Sequence, residues 1–94
     1  MNLKWLSMWT LKLSSQAVTF YEGVTGKYKT QLTNGLNKLS QDPHIGKMLK
    51  GDLRDYWSYR VGVYRIIYKI HQEEIIVEVL RIQHRKEVYE KFRR

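Results

Sequence analysis

The chain has 94 residues, of which 43% are apolar and 13% aromatic, with one proline and no cysteine. This length predicts one packed domain over residues 1–94 and leaves no room for a second, and the absence of cysteine excludes disulfides, thiolate metal sites and thiol redox chemistry. Seventeen Lys and Arg against nine Asp and Glu give a net charge of +8, which favours nucleic acid as a partner, then an acidic protein segment, then a charge that only serves solubility.

The N-terminal segment has no apolar run long enough for a signal peptide, and no stretch of the chain is long enough for a membrane span. We therefore expect a cytoplasmic protein with no membrane partner. Met8 is an alternative start, so residues 1–8 are a candidate N-terminal extension. No two histidines have the spacing of a helical metal site, so no metal or other cofactor is expected.

The first half of the chain predicts one strand and two helices. The segment "WTLKL" alternates apolar and polar residues, and Ser14 or Ser15 can cap a short helix that stops near Gly23. Thr25 can cap a second helix, in which Gly35 is tolerated at about 1 kcal/mol. The apolar stripe of that helix consists of Tyr28, Leu32, Leu36 and Leu39.

The second half predicts a basic loop followed by strands. Asp42-Pro43 ends the second helix, and "HIGKMLKGD" reads as a loop. The segments "RDYWSYRV", "VYRIIYKIH" and "IIVEVLRI" then predict an antiparallel meander over residues 54–82, which turns at Gly62 and at "QEE". A short basic tail, helical from about residue 86, closes the chain.

This order predicts a single small α+β domain, β-α-α-β-β-β with a short C-terminal helix, in which two helices pack on one face of a mainly antiparallel sheet. The other face is left for a partner. We expect basic and aromatic side chains on this face, and such side chains suit contact with phosphates and bases as well as with a protein.

Four arginines bracket the last strands, and a tyrosine follows them. Arg60 and Arg65 flank the Gly62 turn, while Arg81 and Arg85 lie at the end of the final strand. Antiparallel pairing can join them into one positive patch with Tyr89 above it. Guanidinium groups bind phosphate oxygens in bidentate geometry and stay charged, so such a patch can dock a phosphodiester and stabilise charge that develops during its cleavage.

Proton transfer at such a patch needs a base and an acid, for which Tyr89 and His84 are the candidates. In RNA the 2′-hydroxyl lies beside the scissile phosphate, so cleavage needs neither a metal nor a protein nucleophile. Taken one at a time, these residues also fit ordinary roles, namely solvated edge arginines, a packed tyrosine and a structural histidine.

The runs "LKGDLRDYWSYRVGVYRIIYKI" and "IIVEVLRIQHRKEVY" resemble the second half of the RelE/ParE toxins of toxin–antitoxin systems. The resemblance is specific over residues 49–89 and architectural over residues 9–48. It implies a small basic toxin with two helices backing a curved sheet, held inactive in a hetero-oligomer by a RelB-like antitoxin with an acidic C-terminal segment. In the RelE branch it implies metal-independent cleavage of messenger RNA on the ribosome by the 2′-hydroxyl.

The resemblance also implies roles for individual residues. Arg65 and Arg85 would hold the phosphate and stabilise the transition state, Tyr89 would act on the proton of the nucleophile, and His84 is a further catalytic candidate. The candidates for binding RNA or phosphate are Arg60, Arg81, Lys47, Lys50 and Arg54.

The chain departs from the best-known RelE toxins on the strand before the turn. Those toxins carry two lysines there, whereas "DYWSYR" offers none, and His84, Lys47, Lys50 or Arg54 are the candidates to replace part of that charge. Two alternatives to the nuclease therefore stay open. One is a ParE-like poison of DNA gyrase, and the other is a non-catalytic basic module that binds RNA or a partner.

Overall fold

The computed structural model describes residues 8–85, in which one strand and two helices precede four further strands. The predictions for residues 1–7, for Tyr89 and for a C-terminal helix lie outside the described residues. The strands are β1 (Thr10–Leu13), β2 (Lys47–Met48), β3 (Trp57–Val61), β4 (Tyr64–His71) and β5 (Ile76–His84), and the helices are α1 (Ser15–Gly23) and α2 (Gly26–Gln41).

The strands form one mixed sheet in the order β1-β5-β4-β3-β2. β1 runs parallel to β5, and all other neighbours are antiparallel. The α+β class and the antiparallel meander are thereby confirmed. The predicted basic loop differs, because it contains β2 and two 3-10 turns, Pro43–Ile45 and Gly51–Leu53. A two-residue strand shows no alternation in the sequence and is defined only by its pairing with β3.

Both helices contribute to one core on a single face of the sheet. Leu32, Leu36 and Leu39 of α2 are buried against that face as predicted, together with Ala17 of α1. Tyr28, the first member of the predicted stripe, is instead 43% exposed, because the first turns of α2 extend past the core. At the far end of the core the Tyr68 hydroxyl donates a hydrogen bond of 2.6 Å to the Pro43 carbonyl, and burial raises the pKa of this phenol. The sheet residues of the core are Val61, Ile66, Tyr68, Val77, Val79 and Ile82. Within residues 8–85 no helix has the length and apolarity to cross a membrane.

A β-bulge at Leu80 reverses the side-chain alternation of β5. Ile67 is opposite Arg81 and Tyr68 is opposite Val79, so Leu80 has no cross-strand partner of its own. Strict alternation would place Arg81 on the same face as Val79, in the core. The extra residue instead puts Val79 and Ile82 on the helix side and Arg81 on the opposite side.

The start of α1 fastens this bulged segment in place. The Ser14 side chain donates to the Leu80 carbonyl at 2.7 Å and accepts from the Ala17 amide at 3.1 Å, so it caps α1 as predicted. Beyond the end of β1, the Gln16 amide group replaces a neighbouring strand, because it donates to the Ile82 carbonyl at 3.0 Å and accepts from the Ile82 amide at 3.1 Å.

Gly35 lies in the middle of α2 because the helix approaches β3 too closely for a side chain. A Cβ atom at this position would lie 2.6 Å from Cγ2 of Val61. This contact accounts for a glycine that weakens the helix prediction from sequence alone, since the loss of helix propensity is offset by close packing.

We expect Gly35→Ala to destabilise the protein by about 1–3 kcal/mol, although alanine is the better helix former, because the new methyl group overpacks against Val61. Chemical denaturation measures the effect. Gly23→Ala is the matched control, since no atom lies within 4 Å of its added Cβ, and it should be neutral or slightly stabilising. An equal or greater stability of Gly35→Ala would contradict the close approach.

We expect Gln16→Ala to cost about 1–3 kcal/mol, because it leaves the amide and the carbonyl of Ile82 without their side-chain partner. Hydrogen exchange should then show loss of protection at the Ile82 amide ahead of the centre of β4. Gln31→Ala, at an exposed position of α2, serves as the control. Unchanged protection at Ile82 would argue against the strand-like role of Gln16.

Candidate functional site

The face of the sheet opposite the two helices, here called the open face, carries three of the four predicted arginines, Arg60, Arg65 and Arg81. Cross-strand pairing arranges its residues in two adjacent rows. The first row is Lys47, Ser58, Ile67 and Arg81, and the second is Arg60, Arg65 and Gln83. The strand register therefore brings Arg60, Arg65 and Arg81 together on one surface.

The strand residues of the open face are strongly basic. Glu78 is the one acidic member among the described strands, and its Oε1 lies 2.8 Å from Nε2 of His71 at the far end of β4. Among residues 8–85, no carboxylate lies within 4.0 Å of Arg60 or Arg81. The basic members are Lys12, Lys47, Arg60, Arg65, Lys69 and Arg81.

Arg65 is held in a defined direction on this face. Its Nη1 donates a hydrogen bond of 3.0 Å to the Ser58 hydroxyl, which lies on the neighbouring strand and is only 4% exposed. Beside this pair the Ile67 side chain is fully buried, so it forms an apolar floor under the charged groups. A fixed guanidinium over an apolar floor loses little freedom on binding and interacts strongly with an anion.

Arg81 and Gln83 present polar atoms that are not used within the described residues. Nε of Arg81 and Oε1 of Gln83 are buried and have no hydrogen-bond partner there. A buried donor without a partner costs free energy until a ligand or another group satisfies it. Both residues border Arg65, since Gln83 is opposite Arg65 and Arg81 is opposite Ile67.

The structure places the other predicted residues in different surroundings. Arg85 directly follows β5, and its backbone amide donates to the Val63 carbonyl at 2.8 Å, which fixes the exit of β5 against the β3–β4 turn. His84 pairs with Tyr64 on the helix side, where the two rings lie 5.9 Å apart edge to face. His84 therefore does not join the arginines, and Tyr89 lies outside the described residues.

The remaining predicted cations lie on β2 or in the segment between β2 and β3. Lys47 lies on β2 within the first row, opposite Ser58. Lys50 is exposed beside the second 3-10 turn. Arg54 lines a shallow cleft together with His71. His71 lies six residues along β4 from Arg65, which corresponds to roughly 20 Å. Of these three residues, Lys47 is therefore the one that lies in the two rows of the open face, in the row next to that of Arg65.

Sequence reasoning missed Ser58, Ile67 and Gln83 as parts of the site. The alternation of side chains along the strands could have identified them, because each lies on the same face as an arginine of its own strand or of the partner strand. Gln83 and Arg81 were the hardest to place, since the bulge at Leu80 reverses the alternation just before them. Among residues 8–85, no three His, Asp or Glu residues form a group that could hold a metal ion.

A model of the family described as "ParE toxin of type II toxin-antitoxin system, parDE" matches residues 12–89. Toxin RelG of Mycobacterium tuberculosis is 40% identical over 52 residues, which make up 54% of this chain and 60% of that protein. The match thus spans less than two thirds of the relative's length.

Two solved structures have the same fold. The toxin–antitoxin complex RelBE2 of Mycobacterium tuberculosis contains a chain with a TM-score of 0.75 and 27% identity, over 85% of this chain and 94% of that one. The isolated RelE toxin of E. coli has a TM-score of 0.70 and 24% identity, over 88% and 93% of the two chains.

We expect Arg81→Ala to weaken binding of a short single-stranded RNA, because the open face loses a phosphate contact. The slope of log affinity against log salt should fall in magnitude by about 0.7, the value for one lost contact to a single strand. Fluorescence anisotropy over a salt series measures both effects. Lys38→Ala on α2 removes the same charge from the helix layer and should leave the slope unchanged; equal slopes for both variants would contradict binding at the open face.

Proposed function

The chain belongs to the RelE/ParE superfamily of type II toxin–antitoxin toxins, and from this premise we propose that it is a ribosome-dependent endoribonuclease that cleaves messenger RNA and inhibits translation. The observation that carries the proposal is the open face, on which Arg60, Arg65 and Arg81 occupy adjacent strands with Arg65 fixed by Ser58.

The proposed reaction is a metal-independent transfer within the RNA. The 2′-oxygen attacks the adjacent phosphorus, the bond from phosphorus to the 5′-oxygen breaks, and the products are a 2′,3′-cyclic phosphate and a 5′-hydroxyl. Arg65 and Arg85 hold the phosphate and stabilise the negative charge that builds on its non-bridging oxygens. By its match to the family tyrosine, Tyr89 would act as the phenolate, the form that nearby cations favour, and take the proton of the 2′-hydroxyl.

The ribosome would complete the site. The described cations contribute binding and charge stabilisation, and both terms depend on how the RNA strand is held against them. A ribosome positions messenger RNA in an extended, single-stranded form, which aligns the 2′-hydroxyl with the phosphorus. Dependence on the ribosome is therefore part of the proposal.

A cognate antitoxin is the second proposed partner. The similar RelBE2 and E. coli RelBE structures are toxin–antitoxin complexes. For this chain, we propose a RelB-like antitoxin whose acidic C-terminal segment covers the open face, because a net charge of +8 favours an acidic segment by charge complementarity. The toxin and antitoxin would then form a hetero-oligomer in the cytoplasm.

Poisoning of DNA gyrase is the second candidate function, because the matching family model is that of ParE toxins. The strand before the turn also favours it, since the stretch "DYWSYR" carries no lysine where the best-known RelE toxins have two. A gyrase supercoiling assay discriminates the two functions: a poison traps gyrase–DNA complexes and leaves messenger RNA intact. A non-catalytic binding module would do neither, and its expression would be harmless.

We expect primer extension to reveal discrete cleavage of messenger RNA in a translation reaction supplied with this protein, and no cleavage without ribosomes. Arg65→Ala should lower the cleavage rate by about 10²–10³-fold, because it removes a donor aimed at the developing charge. Lys38→Ala, on the helix layer, controls for the loss of one positive charge. Growth arrest by the protein with intact messenger RNA would exclude the nuclease.

A further inference from the structure

The proposed reaction requires a proton donor that the arginines cannot provide. When the bond to the 5′-oxygen breaks, this oxygen leaves as an alkoxide unless it receives a proton. A guanidinium group donates hydrogen bonds but does not release its proton in proteins. Tyr89 is assigned to the 2′-hydroxyl, and His84 lies on the helix side of the sheet beside Tyr64.

Lysine is the donor that the open face offers near Arg65, since an ammonium group carries three protons and can release one, whereas His71 of this face pairs with Glu78 at the far end of β4. Lys12, Lys47 and Lys69 lie on this face. Lys69 has its Nζ 4.9 Å from the centre of the Tyr56 ring, and it lies one row further from Arg65 than Ile67 does. Lys12 is opposite Glu78, beyond β5 and furthest from Arg65.

Lys47 differs from Lys12 and Lys69 in its position relative to Ser58 and Arg65. Arg65 extends its guanidinium toward β2, because Nη1 bonds to the Ser58 hydroxyl. Lys47 is the residue directly opposite Ser58 on β2, so its Cα lies about 5 Å from that of Ser58 on the same face. The Arg65 tip and the Lys47 side chain therefore approach one point from opposite sides of Ser58.

The surroundings leave the Lys47 ammonium available at that point. Lys47 is exposed on the short edge strand, and among residues 8–85 no carboxylate lies within 4.0 Å of it. A flexible four-carbon stem allows the ammonium to reach a phosphate that Arg65 holds.

We propose that Lys47 is the general acid of the cleavage reaction, a role supplied from the edge strand β2 in a chain whose β3 carries no lysine. This inference rests on the proposed nuclease function. In the step, the bond from phosphorus to the 5′-oxygen breaks, an Nζ–H proton of Lys47 passes to that oxygen, and the neutral lysine regains a proton from solvent. The 2′-hydroxyl proton leaves separately, to Tyr89.

A substrate with sulfur in place of the bridging 5′-oxygen tests the role directly. A thiol has a pKa of about 8.5, whereas the pKa of an alcohol is far higher, so a 5′-thiolate leaves without a proton and a 5′-alkoxide does not. Ribosomes are programmed with a short messenger RNA that carries either oxygen or sulfur at the mapped cleavage site. Single-turnover rates are then measured for the wild-type protein, Lys47→Ala, Lys47→Arg and the control Lys38→Ala.

We expect Lys47→Ala and Lys47→Arg both to lose about 10²-fold or more of the rate on the oxygen substrate and to cleave the sulfur substrate within a few-fold of the wild type. Lys38→Ala should cleave both substrates normally. Circular dichroism and the midpoint of denaturation establish that the variants are folded.

Four outcomes overturn the inference in distinguishable ways. Equal losses on both substrates mean that Lys47 binds RNA without donating the proton, and full activity of Lys47→Arg on the oxygen substrate means that only its charge matters. Unchanged activity of Lys47→Ala gives the acid role to another group. Failure of the wild-type protein to cleave either substrate rejects the proposed function itself, and the inference with it.

Discussion

The open face depends on a single extra residue in β5. Because side chains alternate along a strand, a regular β5 that buried Val79 would also bury Arg81 and would expose Ile82. The bulge at Leu80 removes this conflict, so that Ile82 is fully buried while Arg81 stands beside Ile67 on the other face. Burial of an unpaired guanidinium would cost several kcal/mol, which makes the bulge the arrangement that this sequence can tolerate.

The helix layer makes the bulge possible. At the bulge, the Ser14 side chain donates to the Leu80 carbonyl, and beyond the end of β1 the Gln16 side chain pairs with the backbone of Ile82. Close approach of α2 at Gly35 then compacts the core beneath β3. The same residues that stabilise the core therefore also set the position of Arg81 and, through β4, of Arg65.

Charge on the open face is concentrated where the sheet is rigid. Arg65 and Arg81 sit on the two strands with the most extensive pairing, over the buried Ile67, whereas Lys47 stands on a two-residue edge strand. This division suits a site in which fixed groups hold an anion and a mobile group transfers a proton.

The sequence by itself determined the class of fold, the buried leucines of α2, the order of the strands along the chain and the placement of Arg60 and Arg65 on one face, because these follow from local periodicity. Only the tertiary structure decided that β1 joins β5, that His84 faces the helices and that Lys47 stands beside Ser58. Strand order, a bulge and a two-residue strand are set by pairing between distant segments. Local sequence patterns do not define such pairing, so the direction of the side chains near Leu80 is set only when the sheet assembles.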